Sequence, residues 1–200
     1  MDRVFVVDDD ESVRDSITML LEAAGYAVAA FPCASDFLEA CTSDAQGCVI
    51  LDVNMPDMDG VRLQEEIKRR GMGIPVIFLS GQGTIPLTVR TLKSGAMDFL
   101  TKPVKGTVLL ASVREAMEQY SNQIKQVNMT KDIAARLAML TEREREVMLL
   151  AVEGLTSKEI AQRLSISYRT VEIHRAHVMR KAAVTNMLEL ARIATYLPAQ

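Results

Sequence analysis

The stretch CVILDVNMPDMDG, residues Cys48–Gly60, contains the signal that decides the fold. Its apolar run, Val49–Leu51, stops abruptly at Asp52, and turn residues follow. A short apolar run bounded by turn residues is typical of a buried strand in a parallel sheet. Open α/β sheets bind ligands beyond the carboxyl ends of their strands, which is where Asp52 would lie. A carboxylate there can be a metal ligand, a nucleophile or a helix cap, and the rest of the chain has to decide among these.

Composition and charge describe an ordinary globular chain with two unlike halves. Its 200 residues, 48% apolar and 24% charged, suffice for one large domain or two small ones. No apolar run is long enough to span a membrane, and the first residues lead directly into a strand pattern rather than a secretory signal. Three cysteines without metal-like spacing fit the reduced thiols of a cytoplasmic protein. Residues 1–120 carry a formal charge of −7 and residues 121–200 one of +4, so the basic half is a candidate for contact with nucleic acid.

Strand-like runs and helical patterns alternate five times before residue 120. The helical patterns have apolar residues at three- and four-residue spacing, and glycines close several of them. Such an alternation predicts a parallel sheet covered by helices on both faces. The predicted strands are Arg3–Val7, Tyr26–Phe31, Gly47–Asp52, Ile74–Leu79 and Asp98–Leu100, and the predicted helices are Glu11–Ala24, Ala34–Cys41, Val61–Arg70, Thr84–Ser94 and Val104–Tyr120.

Polar residues follow the carboxyl ends of these strands and would converge on one crevice. Asp8 and Asp9 follow the first strand, Ser80 follows the fourth, and Lys102 lies just past the fifth. The carboxylates would repel one another, so a hard cation such as Mg²⁺ is their natural partner. Lys102 can hold a phosphate as a point charge, and the Ser80 hydroxyl can donate to a phosphoryl oxygen. Asp52 is then a carboxylate nucleophile that accepts a phosphoryl group.

Each of these groups also has an ordinary structural explanation. The aspartates at 8–10 could cap the first helix, a role that suits Asp10 best. Ser80 could be a turn residue, and Lys102 could lie in a solvated loop. One such group after each relevant strand is a combination that favours the functional interpretation.

Four segments, VVDDDE, LDVNMPDMDG, FLSG and DFLTKP, resemble in this order the receiver domain of two-component response regulators over residues 1–120. The resemblance implies an α/β, flavodoxin-like (βα)5 fold with the sheet order 2-1-3-4-5. It implies that a partner histidine kinase phosphorylates Asp52. It also implies a Mg²⁺ ion held directly by Asp9 and Asp52, through water by Asp8 and through the backbone carbonyl of Asn54.

The same resemblance implies a conformational switch. Ser80 would move toward the phosphoryl group and Phe99 would turn inward, which remodels the face formed by helix 4, strand 5 and helix 5. Phe99 also fits a plain core aromatic, and the residues alone do not decide between the two roles. The Lys102–Pro103 bond is cis in this family and would aim the lysine into the site. Asn54 and Gln82 would tune the lifetime of the phosphoryl group.

Residues 121–137 form the join between the two halves and lack glycine and proline. The fifth helix could continue through them and pair with a second copy of the chain. They could also form a flexible polar tether with a short helix near 131–139, because Lys131 breaks the apolar pattern. The apolar residues near a three–four spacing that precede this break are Met117, Tyr120, Ile124 and Val127.

Two capping boxes mark helix starts in the basic half. Thr141 precedes Glu144, and Thr156 precedes Glu159, each by three residues, the spacing at which the two residues cap the helix reciprocally. Two short helices joined by a three-residue turn, the second of them basic, are typical of a helix-turn-helix. The turn is predicted at Ser165–Ser167, the basic helix over Tyr168–Ala183, and a last helix over Asn186–Leu197.

Charge along this segment favours a duplex partner. From Arg163 to Lys181 there are five basic residues and one acidic residue, Glu172. Neutralised phosphates release counterions, which supplies affinity for DNA. Glu172 would cost energy there unless it accepts from cytosine N4 or orients an arginine. The alternative is an ordinary solvated helix face. His174 and His177 lack further ligands, so no metal is expected.

The stretch LTEREREVMLLAVEGLTSKEIAQRLSISYRTVEIHRAHVMRK resembles the all-α, tetrahelical output domain of LuxR/FixJ/NarL-type regulators, which would occupy residues 138–200. RTVEIHRA and GQGTIPLTVR are most similar to the FixJ branch. The resemblance implies that the helix at about 156–164 is a scaffold and that the helix at about 167–181 enters the major groove. Base edges would be contacted by Glu172, Ile173 and Ala176, and the DNA backbone by Arg169, Thr170, Arg175 and Lys181.

The sequence therefore predicts a DNA-binding response regulator rather than an enzyme. Phosphorylation of Asp52 would make it dimerise through the helix 4–strand 5–helix 5 face, bind DNA as a pair and regulate transcription as an activator, with RNA polymerase as a further partner. A phosphohydrolase of this fold would need a substrate pocket or a cap insertion, and the loops are too short for one. A protein-only signalling module would have no DNA affinity, and the basic helix argues against it.

Overall fold

The structure is a computed structural model that describes residues 3–43, 45–81 and 85–196. The chain forms two compact units, of which the first ends at Gln123 and the second begins at Ile124. In the part of the chain that the structure describes, no helix combines the length and the apolar character needed to cross a bilayer.

A parallel sheet lies at the centre of the first unit, and its strands are β1 (Arg3–Val7), β2 (Ala27–Phe31), β3 (Cys48–Asp52), β4 (Val76–Ser80) and β5 (Asp98–Thr101). Their order is β2-β1-β3-β4-β5, and every neighbouring pair is parallel. This confirms the predicted flavodoxin-like order. The strand β4 includes Ser80, which the prediction placed just beyond the strand.

Helices flank the sheet, and they are α1 (Glu11–Ala23), α2 (Ala34–Ala40), α3 (Gly60–Arg69), α4 (Ile85–Lys93) and α5 (Gly106–Ala138). The Asp10 side chain accepts hydrogen bonds from the backbone N–H groups of Ser12 and Val13, so Asp10 is the expected cap of α1. The predicted start of α4, Thr84, lies outside the described residues.

Both faces of the sheet are buried because helices pack on each of them, and the side chains of a strand alternate between the two faces. All five residues of β3 are buried. Val49 and Leu51 belong to the apolar cluster to which α2 and α3 contribute, whereas Cys48 and Ile50 belong to the cluster to which α1 and α5 contribute. The continuous apolar run that precedes Asp52 is therefore a consequence of burial on two sides.

The start of α3 is pressed against the end of β3. A Cβ atom at Gly60 would lie 2.2 Å from the backbone oxygen of Asp52, so the backbone can approach this closely only with glycine. The Gly60 N–H donates to the carbonyl of Val53 at 3.0 Å. Asp59 caps the helix by accepting from the N–H of Arg62 at 2.7 Å. The loop after Asp52 is thus closed back onto its own strand.

The second unit is helical, and after the end of α5 it contains α6 (Glu142–Val152), α7 (Ser157–Leu164), α8 (Tyr168–Ala182) and α9 (Met187–Ala194). Both predicted capping boxes are present at the starts of α6 and α7. The left-handed Ser165 ends α7 and the Ser167 side chain caps α8, so the predicted helix-turn-helix is present. The helix α9 ends at Ala194, and the predicted end at Leu197 lies outside the described residues.

Helix α5 is 33 residues long and extends well beyond the predicted end at Tyr120. It includes residues 121–137, for which the sequence left a helix and a tether both open. No glycine or proline interrupts it after Gly106, so nothing in its sequence imposes a break. The boundary between the two compact units falls within it, after Gln123.

Candidate functional site

Two buried carboxylates share one ammonium at the carboxyl edge of the sheet. The Lys102 Nζ atom lies 2.6 Å from Asp8 Oδ2 and 2.7 Å from Asp52 Oδ1. Asp8 directly follows β1, Asp52 ends β3 and Lys102 directly follows β5. Only 2% of Asp8 and 4% of Asp52 are exposed. The parallel sheet therefore gathers three of the predicted site residues from positions far apart in the chain.

Backbone N–H groups hold the remaining oxygens of these two carboxylates. Asp8 Oδ1 accepts from the N–H of Asp10 at 3.0 Å, and Asp52 Oδ2 accepts from the N–H of Asn54 at 2.7 Å. The Lys102 backbone is also fixed, because its N–H donates to the carbonyl of Ser80 at 2.8 Å. The Lys102–Pro103 peptide bond is cis, as the family resemblance implied. The geometry of the three charged groups is thus set by the strand ends.

Electrostatics at this edge favour a further cation. Burial raises the pKa of the Asp52 carboxyl, the Lys102 ammonium lowers it, and the negative charge of Asp8 raises it further, with a net increase. Burial alone would lower the pKa of Lys102, but the two carboxylates outweigh it, so that pKa is raised. One positive charge between two negative charges leaves the cluster negative.

The oxygen atoms at this edge are of the kind that Mg²⁺ binds, and two of the three predicted carboxylates lie together there. Mg²⁺ prefers carboxylate, carbonyl and water oxygens, and the buried pair offers two carboxylates with an uncompensated charge. Asp9 and Asn54 are exposed at the same edge. Among residues 3–43, 45–81 and 85–196, no three His, Cys, Asp or Glu side chains are grouped closely enough to hold a metal. Asp8 and Asp52 are therefore gathered on Lys102, Asp9 lies exposed beside them, and the role of Asp9 as a metal ligand stays a prediction.

The two residues expected to form the switch lie on β4 and β5. Ser80 is the last residue of β4, is fully buried, and lies beside Thr101 in the strand register. Phe99 is half-buried beside Phe78, with ring centroids 6.2 Å apart. Both placements suit a switch and a plain core role, so the switch roles stay predictions. Gln82 lies outside the described residues.

The exposed side chains of α8 form one stripe along the helix. Their spacing of three or four residues places them on the same face, and they are Tyr168, Arg169, Glu172, Ile173, Ala176 and Arg180. Ile173 is 48% exposed although it is apolar. The start of α8 is held by Ser167, which accepts from the Thr170 N–H at 3.0 Å. Four of the residues that the resemblance assigned to DNA contacts therefore lie on one exposed face of α8.

Two of the assigned residues turn inward instead. Arg175 Nη1 donates to Ser157 Oγ on α7 at 3.3 Å. Lys181 Nζ donates to Glu144 Oε2 on α6 at 2.6 Å and to the carbonyl of Met139 at 3.2 Å. The Lys181 ammonium is paired in this way with a carboxylate of which only 3% is exposed, and its assignment to the DNA backbone stays a prediction.

Sequence reasoning missed one partner in this unit. Arg180, one of the five basic residues between Arg163 and Lys181, lies on the exposed stripe four residues after Ala176. Glu144 was assigned only to a capping box, but its carboxylate also pairs with Lys181 and lies 3.5 Å from His177 Nδ1. No pattern in the sequence connects Glu144 to partners more than thirty residues away.

Comparisons with known proteins agree with this two-part architecture. Residues 4–114 match the family described as the response regulator receiver domain. Residues 138–194 match the family described as bacterial regulatory proteins, luxR family. The two matched segments correspond to the sheet-containing part and the four short helices.

Relatives are similar along nearly the whole chain. The transcriptional regulatory protein FixJ of Bradyrhizobium diazoefficiens is 41% identical over 191 residues, which covers 96% of this chain and 93% of the relative. The response regulator protein TodT of Pseudomonas putida is 36% identical over 194 residues, which covers 97% of this chain and 86% of the relative.

Solved structures are similar over the same extent. The low-resolution structure of the response regulator StyR is 37% identical, with a TM-score of 0.90, and the match covers 98% of this chain and 99% of that one. Full-length FixJ from B. japonicum is 40% identical, with a TM-score of 0.62, and covers 98% and 96%. This chain therefore belongs to the FixJ/NarL family of two-component response regulators, with a receiver domain followed by a LuxR-type DNA-binding domain.

Proposed function

We propose that Asp52 accepts a phosphoryl group from a partner histidine kinase and that this modification controls DNA binding. The observation that carries the proposal is the Lys102 ammonium held between Asp8 and Asp52 at 2.6 and 2.7 Å. A carboxylate nucleophile needs a nearby cation to offset the charge of the incoming phosphoryl group. The cluster supplies that cation at the edge of the sheet where ligands of this fold bind.

The transfer is a displacement at phosphorus. An Asp52 carboxylate oxygen forms the new P–O bond, and the P–N bond of a phosphohistidine donor breaks, with its electron pair leaving on the imidazole nitrogen. Lys102, already in contact with Asp52, is placed to bind the phosphoryl oxygens. We assign the Mg²⁺ site to Asp52, Asp8, Asp9 and the Asn54 carbonyl, where the ion would neutralise the developing charge.

We further propose that Ser80 and Phe99 transmit the modification to a dimer interface. Ser80 ends the strand next to Asp52 and Phe99 lies one strand further along the sheet. Support for an interface comes from apolar side chains that α4 and α5 leave exposed: Ile85 at 82%, Val89 at 44%, Leu92 at 43% and Val108 at 45%. Ile85, Val89 and Leu92 follow one another at four- and three-residue spacing and so share one face of α4, and an exposed apolar face is typical of an interaction site.

Helix α8 is the element that we propose to bind DNA. We place this helix in the major groove of double-stranded DNA, with Glu172, Ile173 and Ala176 toward base edges. Backbone contacts are assigned to Arg169, Thr170 and, after release from Ser157, Arg175. A dimer of such units would bind two half-sites and recruit RNA polymerase as an activator. We place this activity in the cytoplasm, where the protein has access both to the kinase that phosphorylates it and to the chromosome.

Phosphoryl labelling with acetyl phosphate or the purified kinase tests the nucleophile. Asp52→Asn should lose the label, and Asp57→Asn is the matched control because it removes a carboxylate from the same loop. Asp57 is exposed and has φ 68, a left-handed conformation that asparagine adopts readily. Label that persists in Asp52→Asn, or disappears equally in both variants, would reassign the phosphoacceptor.

Sedimentation of the labelled and unlabelled protein tests the dimer. We expect the mass to double on phosphorylation in the wild type and to stay that of a monomer in Asp52→Asn. A labelled wild-type protein that remains monomeric would refute dimerisation as the output mechanism, while leaving the phosphoacceptor assignment intact.

A further inference from the structure

Two separate apolar clusters support the helix α8. Val171, near its start, is fully buried in a cluster with Val147 of α6 and Ile160 of α7. Val178 and Ala182, near its end, are each 1% exposed and belong to a different cluster. The scaffold helix α7 therefore contributes only to the cluster under the first half of α8, whereas the cluster under the second half contains Met148 of α6 and Leu190 of α9 together with residues from the end of α5.

The last turns of α5 belong to this second cluster. Ile133 is 5% exposed and Leu137 is 1% exposed, and both are grouped with Val178 and Ala182. Leu140, 6% exposed, continues the apolar surface just after the helix. The luxR-family match begins at residue 138 and does not include Ile133 or Leu137.

Hydrogen bonds also connect the end of α8 to the residues that follow α5. The Lys181 ammonium donates to the carbonyl of Met139, the first residue after α5, at 3.2 Å. It donates to the buried Glu144 carboxylate at 2.6 Å as well. The end of α8 is thus bound by hydrogen bonds to the point where α5 ends and α6 begins.

We propose that Ile133 and Leu137 of α5 are positioning residues for DNA binding and that this segment is a fifth helix of the DNA-binding unit. The exposed stripe from Arg169 to Arg180 covers twelve residues, about 16 Å of helix from the first to the last. A tilt of only about 5° around the start of α8 would displace its far end by about 1.5 Å. Such a displacement is large against the tolerance of about 0.5 Å that a binding site requires.

The competing interpretation is that residues 124–138 are a helical tether that contributes nothing to α8. The full-length protein distinguishes the two through Ile133→Val and its matched control Ile124→Val, the same substitution on the same helix at a site that is 36% exposed. Amide hydrogen exchange of residues 178–182 is measured in each. We expect Ile133→Val to accelerate it about 2- to 10-fold and Ile124→Val to leave it unchanged.

Binding to DNA separates positioning from simple loss of folded protein. The probe is a duplex selected from a random pool by the wild-type protein, beside a scrambled duplex of the same length. Leu137→Ala, kept at a temperature where circular dichroism reports native helix content, should lose affinity for the selected duplex by roughly fivefold, the equivalent of one good base contact. Affinity for the scrambled duplex should change less, because phosphate contacts tolerate small displacements.

Two results would overturn the proposal. One is unchanged exchange at 178–182 in both Ile133→Val and Leu137→Ala. The other is an equal loss of affinity for both duplexes, which would mean a smaller folded fraction rather than a displaced helix. The proposal rests on DNA binding by this unit, but the exchange measurement involves neither DNA nor phosphorylation, so its failure is distinguishable from failure of the proposed function.

Discussion

Replacing Glu144 by glutamine should destabilise the DNA-binding unit by about 3 kcal/mol at neutral pH. Burial alone would raise the pKa of this carboxyl, but hydrogen bonds from the Lys181 ammonium and the Thr141 N–H outweigh it and lower the pKa from 4.5 to about 2. Each pKa unit corresponds to about 1.4 kcal/mol, which gives the magnitude. The Lys181 side chain is 29% exposed, so the loss should not exceed the lower end of the roughly 3–5 kcal/mol expected when one partner of a fully buried ion pair is removed.

The pH dependence of this loss has a defined sign. Because the pKa of Glu144 is lower in the folded state, its stabilising effect is complete above 4.5 and is lost as the pH falls from 4.5 through about 2. The wild type should therefore converge on Glu144→Gln in that window. Glutamine keeps an acceptor for Thr141 but leaves Lys181 without a carboxylate, so the difference isolates the charge.

Urea titrations with amide exchange of α6 and α8 as the probe report the unfolding free energy of this unit without interference from the receiver domain. The matched control is Glu142→Gln, an exposed carboxylate in the same first turn of α6. We expect that control to lie within about 0.5 kcal/mol of the wild type. A loss below about 1 kcal/mol in Glu144→Gln, or an equal loss at pH 2 and pH 7, would refute the buried-pair reasoning.

Two further predictions concern the receiver domain and the DNA interface. Asp52→Asn should raise the unfolding free energy of the receiver at pH 7. Burial raises the pKa of the Asp52 carboxyl, so the stability of the wild type falls as the pH rises through that pKa. The gain of the variant over the wild type should vanish below the ordinary aspartate pKa. Urea titrations beside Asp57→Asn check this, and a less stable Asp52→Asn would mean that the Lys102 pair outweighs burial. Arg180→Ala should reduce the slope of log affinity against log salt by about 0.9, as expected for one phosphate contact, whereas Arg62→Ala in the receiver should not change it.

Local patterns in the chain were sufficient for most of the architecture. The capping boxes at Thr141 and Thr156 depend on residues three apart, and both are present. The alternation of apolar runs with helical patterns predicted a parallel sheet, and the family resemblance implied the strand order that is present. The continuation of α5 through residues 121–137 stayed open because residues 121–132 are exposed on all sides and therefore carry no clear apolar pattern, although nothing in them ends a helix.

The candidate site was predicted only in part because neighbouring residues can point in different directions. Asp8 and Asp9 are adjacent in the chain, yet Asp8 is buried against Lys102 and Asp9 is exposed. Residue type alone does not distinguish these two aspartates at the end of β1. Their different environments arise from the path of the backbone after β1, which turns only one of them into the sheet edge.

Sequence alone therefore determined the elements, their order and the chemical types that gather at the edge of the sheet, since these depend on periodicity and short-range capping. Tertiary structure alone decided which charges are paired and which are free. The family resemblance assigned Lys181 to the DNA backbone, and no pattern in the sequence indicated its carboxylate partner, which lies 37 residues earlier in the chain. A partner at that separation is chosen by how α6 and α8 pack, and the energy of a charge depends on its burial and its neighbours rather than on its residue type.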